Sequence, residues 1–367
     1  MKKNILFIIW SFSMGGGAEK ILANILNNID LNKYEIDVLE YMSFGIKEEK
    51  IPQEVNRIRP ILNYNKSSKY KRYLFDKICT YFPKLLRKIY LNKTYDYEIS
   101  FNERIPSFLL DDSSTIFCWI HGSMYGIEKT KMQYQRQKKV FQKAKNIIAI
   151  SEKSQKSIED LFPEISNKII KIYNGYSFEN IRILSKENKD VILEKQSLVF
   201  IGRLDENKQP INAIECLKRL HDKNCYYHLY ILGQGELLDA MHKCVEKYKL
   251  SNYVHFLGYV ENPYPILKQA KTIVSFSKQE GFPTTFVEGL ALGTPFISTD
   301  VGGAKELSNN GKCGKIFESM DEATNFLNLI YNDKITFDKD ECQKFVAQFS
   351  IENQIINLEK ILDEKSK

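Results

Sequence analysis

Glu280 and Gly281 open a segment whose residue types suit the binding of a phosphorylated sugar. Gly281 lets a ligand approach the backbone closely, and Pro283 is typical of a first helical turn because its missing N–H is not needed there. The apolar spacing that follows predicts a helix as far as Leu292. The N-terminus of this helix would present the backbone N–H groups of residues 284–286 to a phosphate.

Glu288 lies on the same predicted helical face as Thr284 and Thr285, which precede it by four and three residues. A carboxylate at this position would repel phosphate but would accept hydrogen bonds from a neutral diol such as a ribose. Glu280 precedes the helix, where the hydroxyls of a sugar could reach it. The segment therefore predicts a nucleotide-diphosphate-sugar site. The alternative is a pair of surface glutamates around a helix start.

A second candidate site is the loop 202–210, which follows a predicted strand at Ser197–Ile201. Arg203 supplies a forked guanidinium and Lys208 a point charge, and both suit a departing pyrophosphate. Open α/β sheets bind ligands in the loops at the carboxyl ends of their strands. The position therefore favours a pyrophosphate site over a pair of solvated surface cations.

Three consecutive glycines, residues 15–17, join the first predicted strand to its helix. Such a loop predicts contact with a phosphate or a sugar, and a plain tight turn is the alternative. Lys20 stands where the third glycine of a dinucleotide-binding fingerprint would lie, so that fingerprint is broken. Glu40, at the end of the second predicted strand, keeps a dinucleotide site open as an alternative.

Two further motifs have competing interpretations. His121 ends a predicted strand and is followed by Gly122, so it is either a site residue exposed to a cleft or a structural histidine. Asp338 and Asp340 form a D-x-D pair of the kind some metal-dependent glycosyltransferases use, but their charged, helical surroundings favour a helix cap. We therefore predict no metal site.

The composition limits the possible classes of protein. A chain of 367 residues exceeds a typical single domain. No apolar run approaches the roughly 18 residues of a membrane span. The seven cysteines are scattered, with no C-x-x-C pair, which favours reduced thiols in the cytoplasm over a disulfide framework or a zinc site.

Strand-like and helix-like stretches alternate along both halves of the sequence, which predicts two α/β domains with doubly wound parallel sheets. We place an N-terminal domain at residues 1–176, a C-terminal domain at 177–350 and a terminal helix at 351–367. The polar stretch 177–196 is interpreted as the connection between the domains.

The segment 66–93 carries nine Lys or Arg residues and one acid, Asp76, with apolar and aromatic residues at helical spacing. Pro83 would divide it into two helices. Basic amphipathic helices bind anionic membrane surfaces, so we predict membrane contact and expect Lys84, Arg87 and Lys88 to take part. A solvated helix pair is the alternative. Binding to nucleic acid is not expected, because no recognised nucleic-acid module accompanies the segment.

Taken together, the motifs resemble those of glycosyltransferase family 4, the retaining enzymes of GT-B architecture. Their order and spacing cover nearly the whole chain. The matching residues are Gly16-Gly17-Ala18-Glu19, His121-Gly122, Ser151, Asn174-Gly175, Gly202-Arg203-Leu204, Lys208, Gly233, Gly235, Leu257-Gly258, Glu280 to Glu288, Gly302-Gly303 and Glu306. One departure is Gln209, where the family commonly has glycine.

The resemblance implies two Rossmann-like domains facing across a cleft, with the terminal helix crossing back onto the N-terminal domain. It also implies roles for single residues. Arg203 and Lys208 would hold the diphosphate, Glu288 the ribose, and Glu280 the transferred sugar. The remaining site residues would be His121 for the sugar, Gly16 and Gly17 for the diphosphate or acceptor, and Gly233, Gly281, Phe282, Thr284 and Thr285 around the donor.

The resemblance further implies retaining transfer of a hexosyl or N-acetylhexosaminyl group from a nucleotide sugar, with UDP favoured, to a glycan acceptor that is lipid-linked. No cofactor or metal is implied, and the expected location is the cytoplasmic face of the cell membrane. The open alternatives are a nucleotide-sugar 2-epimerase, a non-catalytic nucleotide-sugar-binding partner subunit and, less compatible with the broken fingerprint, an NAD-dependent dehydrogenase.

Overall fold

The computed structural model describes residues 2–91, 93–111, 113–125, 131–187 and 191–364. The chain folds into two compact units. Unit 1 comprises Met1–Tyr176 together with Phe349–Lys367, and unit 2 comprises Ser177–Gln348. The C-terminal segment therefore belongs to the same unit as the N-terminus.

Unit 1 begins with a parallel α/β arrangement. Its strands are β1 (Lys3–Ile9), β2 (Tyr34–Glu40), β3 (Met42–Ser43), β4 (Asn56–Ile58), β5 (Leu62–Asn63), β6 (Tyr97–Ser100), β7 (Thr115–Ile120), β8 (Asn146–Ala149) and β9 (Ile169–Lys171). Its helices before unit 2 are α1 (Gly17–Asn28), α2 (Lys69–Tyr81), α3 (Pro83–Tyr90), α4 (Ile105–Phe108), α5 (Lys131–Lys143) and α6 (Glu152–Leu161).

Seven described strands of unit 1 form one parallel sheet in the order β4-β2-β1-β6-β7-β8-β9. The run from Ile5 to Ile9 is buried, as expected for a strand covered on both faces. Strand order reverses between β1 and β6, which creates a topological switch point. The short strands β3, β4 and β5 were not predicted, because two or three residues show no periodicity.

Unit 2 repeats this alternation. It contains α7 (Phe178–Leu184), β10 (Ser197–Ile201), α8 (Pro210–His221), β11 (His228–Leu232), α9 (Leu238–Lys247), β12 (Val254–Gly258), α10 (Tyr264–Leu267), β13 (Thr272–Ser275), α11 (Thr284–Ala291), β14 (Phe296–Thr299), α12 (Ala304–Leu307), β15 (Gly314–Phe317), α13 (Met320–Tyr331) and α14 (Lys339–Val346). Its described strands form a parallel sheet in the order β12-β11-β10-β13-β14-β15, with the switch point between β10 and β13. The edge strand β15 was missed because its Lys315 and Ile316 are both half-buried, without alternation.

The interpretation of 177–196 as a simple connection was wrong for its first part. Helix α7 begins there, with Ser177 as its N-cap accepting from the amide of Asn180. The helix packs against α10 and α11 and buries Ile181. One buried side chain among polar neighbours is too weak a pattern to reveal an amphipathic helix.

The chain returns to unit 1 through α15 (Ile351–Asp363), which is capped by Ser350. This helix packs against α1, and Tyr97 donates its hydroxyl to the Leu362 carbonyl at 2.6 Å. Its buried face includes Ile351, Leu358 and Leu362. The apolar spacing of the terminal segment therefore reflects packing on unit 1.

Arg87 fastens α3 to the sheet of unit 1. Its Nη2 donates to Oε1 of Glu98 at 2.8 Å and its Nη1 to Oε2 at 2.9 Å, and the Glu98 side chain is completely buried. Burial raises the pKa of Glu98, and the adjacent guanidinium opposes this rise. The expectation that Arg87 would take part in membrane contact is therefore not supported, because its side chain is only 13% exposed and is paired with a buried carboxylate. A helical period does not reveal that one cation faces a buried carboxylate on β6.

We expect Arg87→Ala to lower the free energy of unfolding by about 3–5 kcal/mol, because it leaves the Glu98 carboxylate buried without its charge partner. Lys88→Ala is the matched control, since Lys88 is the next residue of α3 and is exposed. Urea unfolding followed by circular dichroism measures both values. Equal stabilities for the two variants would show that the Arg87 pair does not anchor α3.

Candidate functional site

The candidate residues of unit 2 lie in loops at the carboxyl edge of its sheet. Lys208 follows β10, and Glu280 follows β13. These two loops flank the switch point between β10 and β13. Open α/β sheets bind ligands at such a position, because the diverging loops leave a crevice there.

The loops approach one another so closely that some contacts require glycine. A Cβ on Gly233 would lie 1.8 Å from the Gly202 carbonyl oxygen, and a Cβ on Gly302 would lie 2.3 Å from that of Gly281. These glycines are therefore needed for packing between the loops that follow β10, β11, β13 and β14. A direct ligand contact of Gly233 stays a prediction.

Lys208 and Glu280 contact each other directly. The Lys208 Nζ donates to Glu280 Oε1, and the two side chains are 23% and 16% exposed. The sequence predicted separate roles for these residues, on the diphosphate and on the sugar. The structure instead brings them together as one partly exposed ion pair.

Asp205 and Asn207 hold the Lys208 loop in place. Oδ1 of Asp205 accepts from the amides of Asn207 at 3.1 Å and Lys208 at 2.9 Å. Asn207 accepts from the Lys278 amide at 2.8 Å and donates its Nδ2 to the Gln279 carbonyl at 3.0 Å. The loop after β10 is thus joined to the loop after β13 by backbone and side-chain hydrogen bonds. Sequence reasoning missed both residues, although an Asx turn at D-x-N-K is a recognised signal.

Arg203 lies beside a carboxylate of its own loop. Its Nη2 is 3.3 Å from Asp205 Oδ2, and its side chain is 74% exposed. We expected Arg203 and Lys208 to act as a pair of cations. The structure pairs Arg203 with Asp205 and Lys208 with Glu280, so the role of Arg203 on a diphosphate stays a prediction.

Glu288 is buried on α11, where Oε1 accepts from the Tyr264 hydroxyl at 3.1 Å. Burial raises the pKa of Tyr264, and the neighbouring Glu288 contributes to this rise. Tyr264 was missed from the sequence, because no motif connects it with a residue 24 positions later. Its hydrogen bond fixes one oxygen of the carboxylate that was predicted to bind a ribose.

The start of α11 differs in detail from the sequence prediction. Pro283 is the N-cap and lies outside the first helical turn. The Phe286 amide donates to the Pro283 carbonyl at 3.1 Å, so it is not available to a phosphate as expected. The Phe286 amide is therefore removed from the phosphate contacts predicted at this helix.

In the glycine loop of unit 1, backbone amides donate hydrogen bonds to the side-chain carboxylate of Glu19. The Glu19 Oε2 accepts from the amides of Met14 at 3.1 Å, Gly15 at 2.5 Å and Gly16 at 3.1 Å. The amides that were expected to meet a phosphate thus serve an internal anion. The predicted ligand contact at Gly16 therefore does not rest on a free amide in this state of the loop.

Glu40 also serves unit 1 internally. Its Oε1 accepts from the Phe12 amide at 2.8 Å and from the Ser13 hydroxyl at 2.6 Å, and the side chain is buried. A dinucleotide site needs this carboxylate for a ribose and the glycine amides for a pyrophosphate. Since both are already paired within the protein, the arrangement disfavours the dehydrogenase alternative.

His121 lies at the end of β7, in contact with aromatic rings. Its ring centroid is 4.4 Å from that of Phe101, and it stacks on Trp119 at an interplanar angle of 7°. Nε2 is buried and has no hydrogen-bond partner among the described residues. Burial lowers the pKa of His121 to about 3, so the imidazole is neutral at physiological pH.

Arg104 is an unpredicted strained residue near the switch point of unit 1. Its φ of 63° and ψ of −119° are unusual for a residue with a side chain. The Gln137 side chain holds this conformation by accepting from the Arg104 amide at 2.7 Å. Strain of this kind concentrates at functional sites, and no local sequence signal announces it.

The D-x-D pair is a helix cap. Asp338 accepts from the amides of Asp340 at 2.8 Å and Glu341 at 3.2 Å at the start of α14. This agrees with the interpretation favoured from the sequence. Across the described ranges, no group of three or more His, Cys, Asp or Glu side chains has an arrangement that could hold a metal ion.

Residues 183–347, which form most of unit 2, match the family described as Glycosyl transferases group 1. The chain is a glycosyltransferase, and its residues 183–347 carry the group 1 match. The predicted recognition and enzyme class are therefore confirmed, since family 4 is consistent with the group 1 transferases. The matched segment contains Arg203, Lys208, Glu280 and Glu288.

Two relatives illustrate how far the similarity extends. An uncharacterized glycosyltransferase of Methanocaldococcus jannaschii is 37% identical over 172 residues, which are 44% of this chain and 41% of that relative. The N-acetylgalactosamine-N,N'-diacetylbacillosaminyl-diphospho-undecaprenol 4-alpha-N-acetylgalactosaminyltransferase of Campylobacter jejuni is 26% identical over 340 residues, 88% of each chain. The first match is thus partial, whereas the second extends through both units.

Solved structures confirm the GT-B fold. The lipopolysaccharide outer core galactosyltransferase WaaB aligns with a TM-score of 0.74 and 19% identity, covering 99% of this chain and 100% of that one. Anabaena Alr3699/HepE, solved in complex with UDP, aligns with a TM-score of 0.72 and 18% identity, covering 99% of each chain. The two parallel α/β units of this glycosyltransferase agree with the predicted fold class.

Gln209 of this glycosyltransferase has φ 49° and ψ 52°, the left-handed conformation that glycine tolerates. We expect Gln209→Gly to raise the free energy of unfolding by up to about 1 kcal/mol. The relief of strain is partly offset by the greater entropy of the unfolded chain and by loss of the 3.0 Å bond from Asn212 Nδ2 to Gln209 Oε1. Gln209→Val is the comparison, because a β-branched side chain should be worse than Gln there. Urea denaturation decides between them, and a valine variant as stable as the glycine variant would contradict the assignment of strain.

Proposed function

We propose that this glycosyltransferase moves a hexosyl or N-acetylhexosaminyl group from a UDP-sugar to a lipid-linked glycan, with retention of anomeric configuration. The observation that carries the proposal is the Lys208–Glu280 pair beside the switch point of unit 2, within the family-matched segment. Loops at this position are ordered before a ligand arrives, which reduces the entropic cost of positioning a substrate.

Lys208 is the residue that we assign to the donor diphosphate. Its ammonium is neutralised by Glu280 in the structure, and an arriving diphosphate would compete for it. Glu280 would then be free to accept hydrogen bonds from the hydroxyls of the sugar. Arg203, which is largely exposed, can turn from Asp205 towards the phosphates. The cations would stabilise the charge that grows on the departing nucleotide.

Glu288 is the residue that we assign to the ribose. Tyr264 already donates to one of its oxygens at 3.1 Å, which fixes the carboxylate in one orientation. A buried, oriented carboxylate forms strong hydrogen bonds with hydroxyl donors. The backbone of Gly281, Phe282, Thr284 and Thr285 would complete the donor site, and no metal or cofactor is required by this scheme.

We assign residues of unit 1 to contacts with a sugar hydroxyl and with the diphosphate or the acceptor. The buried Nε2 of neutral His121 can exchange a hydrogen bond with a sugar hydroxyl, since the described residues leave it unpaired. The loop of Gly16 and Gly17 is kept in one conformation by Glu19 and would contact the diphosphate or the acceptor through its shape. Because their Cα atoms carry no side chain, these glycines allow a bulky substrate to come near.

The names of relatives support a lipid-linked or polymeric acceptor. Two Campylobacter jejuni relatives that match 88% and 90% of this chain are named for glycan transfer onto diphospho-undecaprenol or PP-undecaprenol intermediates. A Bacillus subtilis relative is named poly(glycerol-phosphate) alpha-glucosyltransferase and matches 65% of this chain. These named activities support a membrane-held or polymeric glycan as the acceptor class.

Donor binding tests the assignments in unit 2. Glu288→Gln keeps the size of the side chain but loses its charge, so we expect UDP-sugar binding to weaken by at least about tenfold, given hydrogen bonds to charged groups worth ~1.5–3 kcal/mol. Lys208→Ala should reduce turnover more than thermal stability, because its charge acts on the leaving diphosphate. Lys243→Ala, an exposed lysine of α9, is the control. Isothermal titration and UDP release measure the effects.

Unchanged donor affinity in Glu288→Gln would refute the ribose assignment. Epimerisation of the donor at C2 without transfer would instead favour the nucleotide-sugar 2-epimerase, and binding without UDP release the non-catalytic partner. A strict requirement for added Mg²⁺ or Mn²⁺ would contradict the metal-free scheme.

The exposed side chains of α2 and α3 form a basic surface on unit 1. Tyr70 is 75% exposed, Phe82 67% and Leu85 56%. Its exposed cations are Lys69, Lys71, Lys77, Lys84 and Lys88. No helix in the described ranges is long and apolar enough to cross a membrane. Aromatic residues interleaved with cations support peripheral contact with an anionic bilayer, which would bring the enzyme to a lipid-linked acceptor.

The basic surface predicts sedimentation with anionic vesicles that salt reverses. Because Arg87 is an internal anchor, the appropriate charge reversal is Lys77, Lys84 and Lys88 to Glu, which should weaken binding by well over tenfold at about 1 kcal/mol per cation. A matched control reverses Lys243, Lys268 and Lys344 in unit 2, giving the same net charge. Vesicle co-sedimentation measures both proteins. Equal loss in the two triple variants, or equal recovery with neutral vesicles, would assign the segment to a solvated surface.

A further inference from the structure

A cavity of about 360 Å³ lies in unit 1 between α3 and α5, beside the start of β7. Phe108, Ile116 and Val140 form much of its apolar wall. Charged side chains surround the remainder, and these are Lys84, Arg87, Arg136, Lys139, Lys143 and one acid, Asp111. The volume is within the range of small-molecule sites.

The cations of this cavity are not equally available. Arg87 is engaged by buried Glu98, and its Nη2 is also 3.7 Å from Asp111 Oδ2. By contrast, no carboxylate of the described residues forms an ion pair with Lys84, Arg136 or Lys139. The acid in the lining is therefore associated with Arg87, and the cavity keeps an excess of positive charge.

Arg136 is a half-buried cation of the cavity. Its guanidinium lies over the Phe108 ring, 5.3 Å from the centroid, and its Nε is buried with no hydrogen-bond partner among the described residues. A buried donor without a partner is costly, and a charged one costs more. An anionic oxygen placed in the cavity would supply the missing acceptor and offset the desolvation of the charge.

The lining of the cavity indicates a ligand that has apolar groups as well as a negative charge. Pro83, Leu110 and Val140 line the cavity and are only half-buried, so they present carbon surface next to the cations. An inorganic ion would leave this apolar surface uncovered, whereas an amphiphile with a phosphate would cover it. The combination of donors and carbon therefore matches a phosphate ester with an attached glycerol or alkyl group.

The cavity also adjoins the basic surface. Lys84 lines the cavity, and Leu85, the next residue of α3, is 56% exposed on the surface that we assign to the membrane. We propose that the cavity between α3 and α5 binds the phosphate headgroup of an anionic phospholipid, with the phosphate on Arg136 and Lys139 and the glycerol end against Leu110 and Val140. This inference rests on the proposed membrane contact, and it adds a specific lipid site to that contact.

Calorimetric titration of the whole chain with dihexanoyl phosphatidylglycerol, kept below its micelle concentration, tests the site. We expect saturable binding of one lipid, weakened about tenfold or more by Arg136→Gln and by Lys139→Gln, since each removes a charged donor. Lys243→Gln removes the same charge from an exposed position of α9 in unit 2 and should bind as wild type. Lys139 is exposed, so its variant keeps the test decisive even if Arg136→Gln unfolds the protein.

Parallel titrations with dihexanoyl phosphatidylcholine, glycerol 3-phosphate and inorganic phosphate identify the source of the phosphate. Weaker binding of all three supports the anionic lipid. Equal affinity for glycerol 3-phosphate or inorganic phosphate would overturn the lipid assignment in favour of a small-anion site. Equal losses of lipid binding in Lys243→Gln and Lys139→Gln would show that the cavity is not the binding site. The titrations contain no nucleotide sugar, so their failure is distinguishable from failure of the donor assignments in unit 2.

Discussion

The ion pair between Lys208 and Glu280 is the interaction on which the candidate chemistry of this glycosyltransferase depends. It joins two loops at the switch point of the unit 2 sheet, where Asn207 adds hydrogen bonds to the same pair of loops. Because each partner neutralises the other, the loops are ordered without leaving an isolated charge in a partly buried position. A diphosphate arriving there would replace one anion with another, so the site can exchange partners while the sheet beneath it stays unchanged.

The two units use carboxylates in opposite ways although their sheets follow the same pattern. In unit 1, Glu19 and Glu40 pair with the amides and hydroxyls of the first glycine loop and fix its shape. In unit 2, Glu280 pairs with the side-chain ammonium of Lys208, and Glu288 accepts from the Tyr264 hydroxyl. Backbone amides held by a carboxylate of the same loop are harder to release than a lysine ammonium, because the loop would have to refold. The glycine loop of unit 1 therefore has a fixed conformation, whereas unit 2 has a lysine whose charge partner a ligand could replace.

The cations of helix α3 lie in two different surroundings, one facing the sheet and the others exposed. Arg87 reaches inward to a completely buried carboxylate on β6, whereas Lys84 and Lys88 remain exposed. This division lets a strongly basic helix pack against the sheet without bringing an unpaired charge into the core. It also places an exposed basic and aromatic surface beside a cavity that contains Arg136, so contact with an anionic bilayer and recognition of one lipid phosphate could share a single helix.

The sequence by itself determined the parallel α/β units, the positions of most strands and of some helices, and the candidate residues Lys208, Glu280 and Glu288. Apolar runs, glycine loops and helix-start residues depend on local chemistry, which a single sequence displays directly. It did not reveal β15 or α7, where burial is slight and periodicity is weak. Tertiary structure alone decided that Arg87 faces Glu98, that Tyr264 donates to Glu288, and that Glu19 occupies the amides expected to meet a phosphate. The first two pair residues from different elements and the third depends on how a loop closes, so these partners are set by the path of the chain in space, which residue type and spacing do not encode.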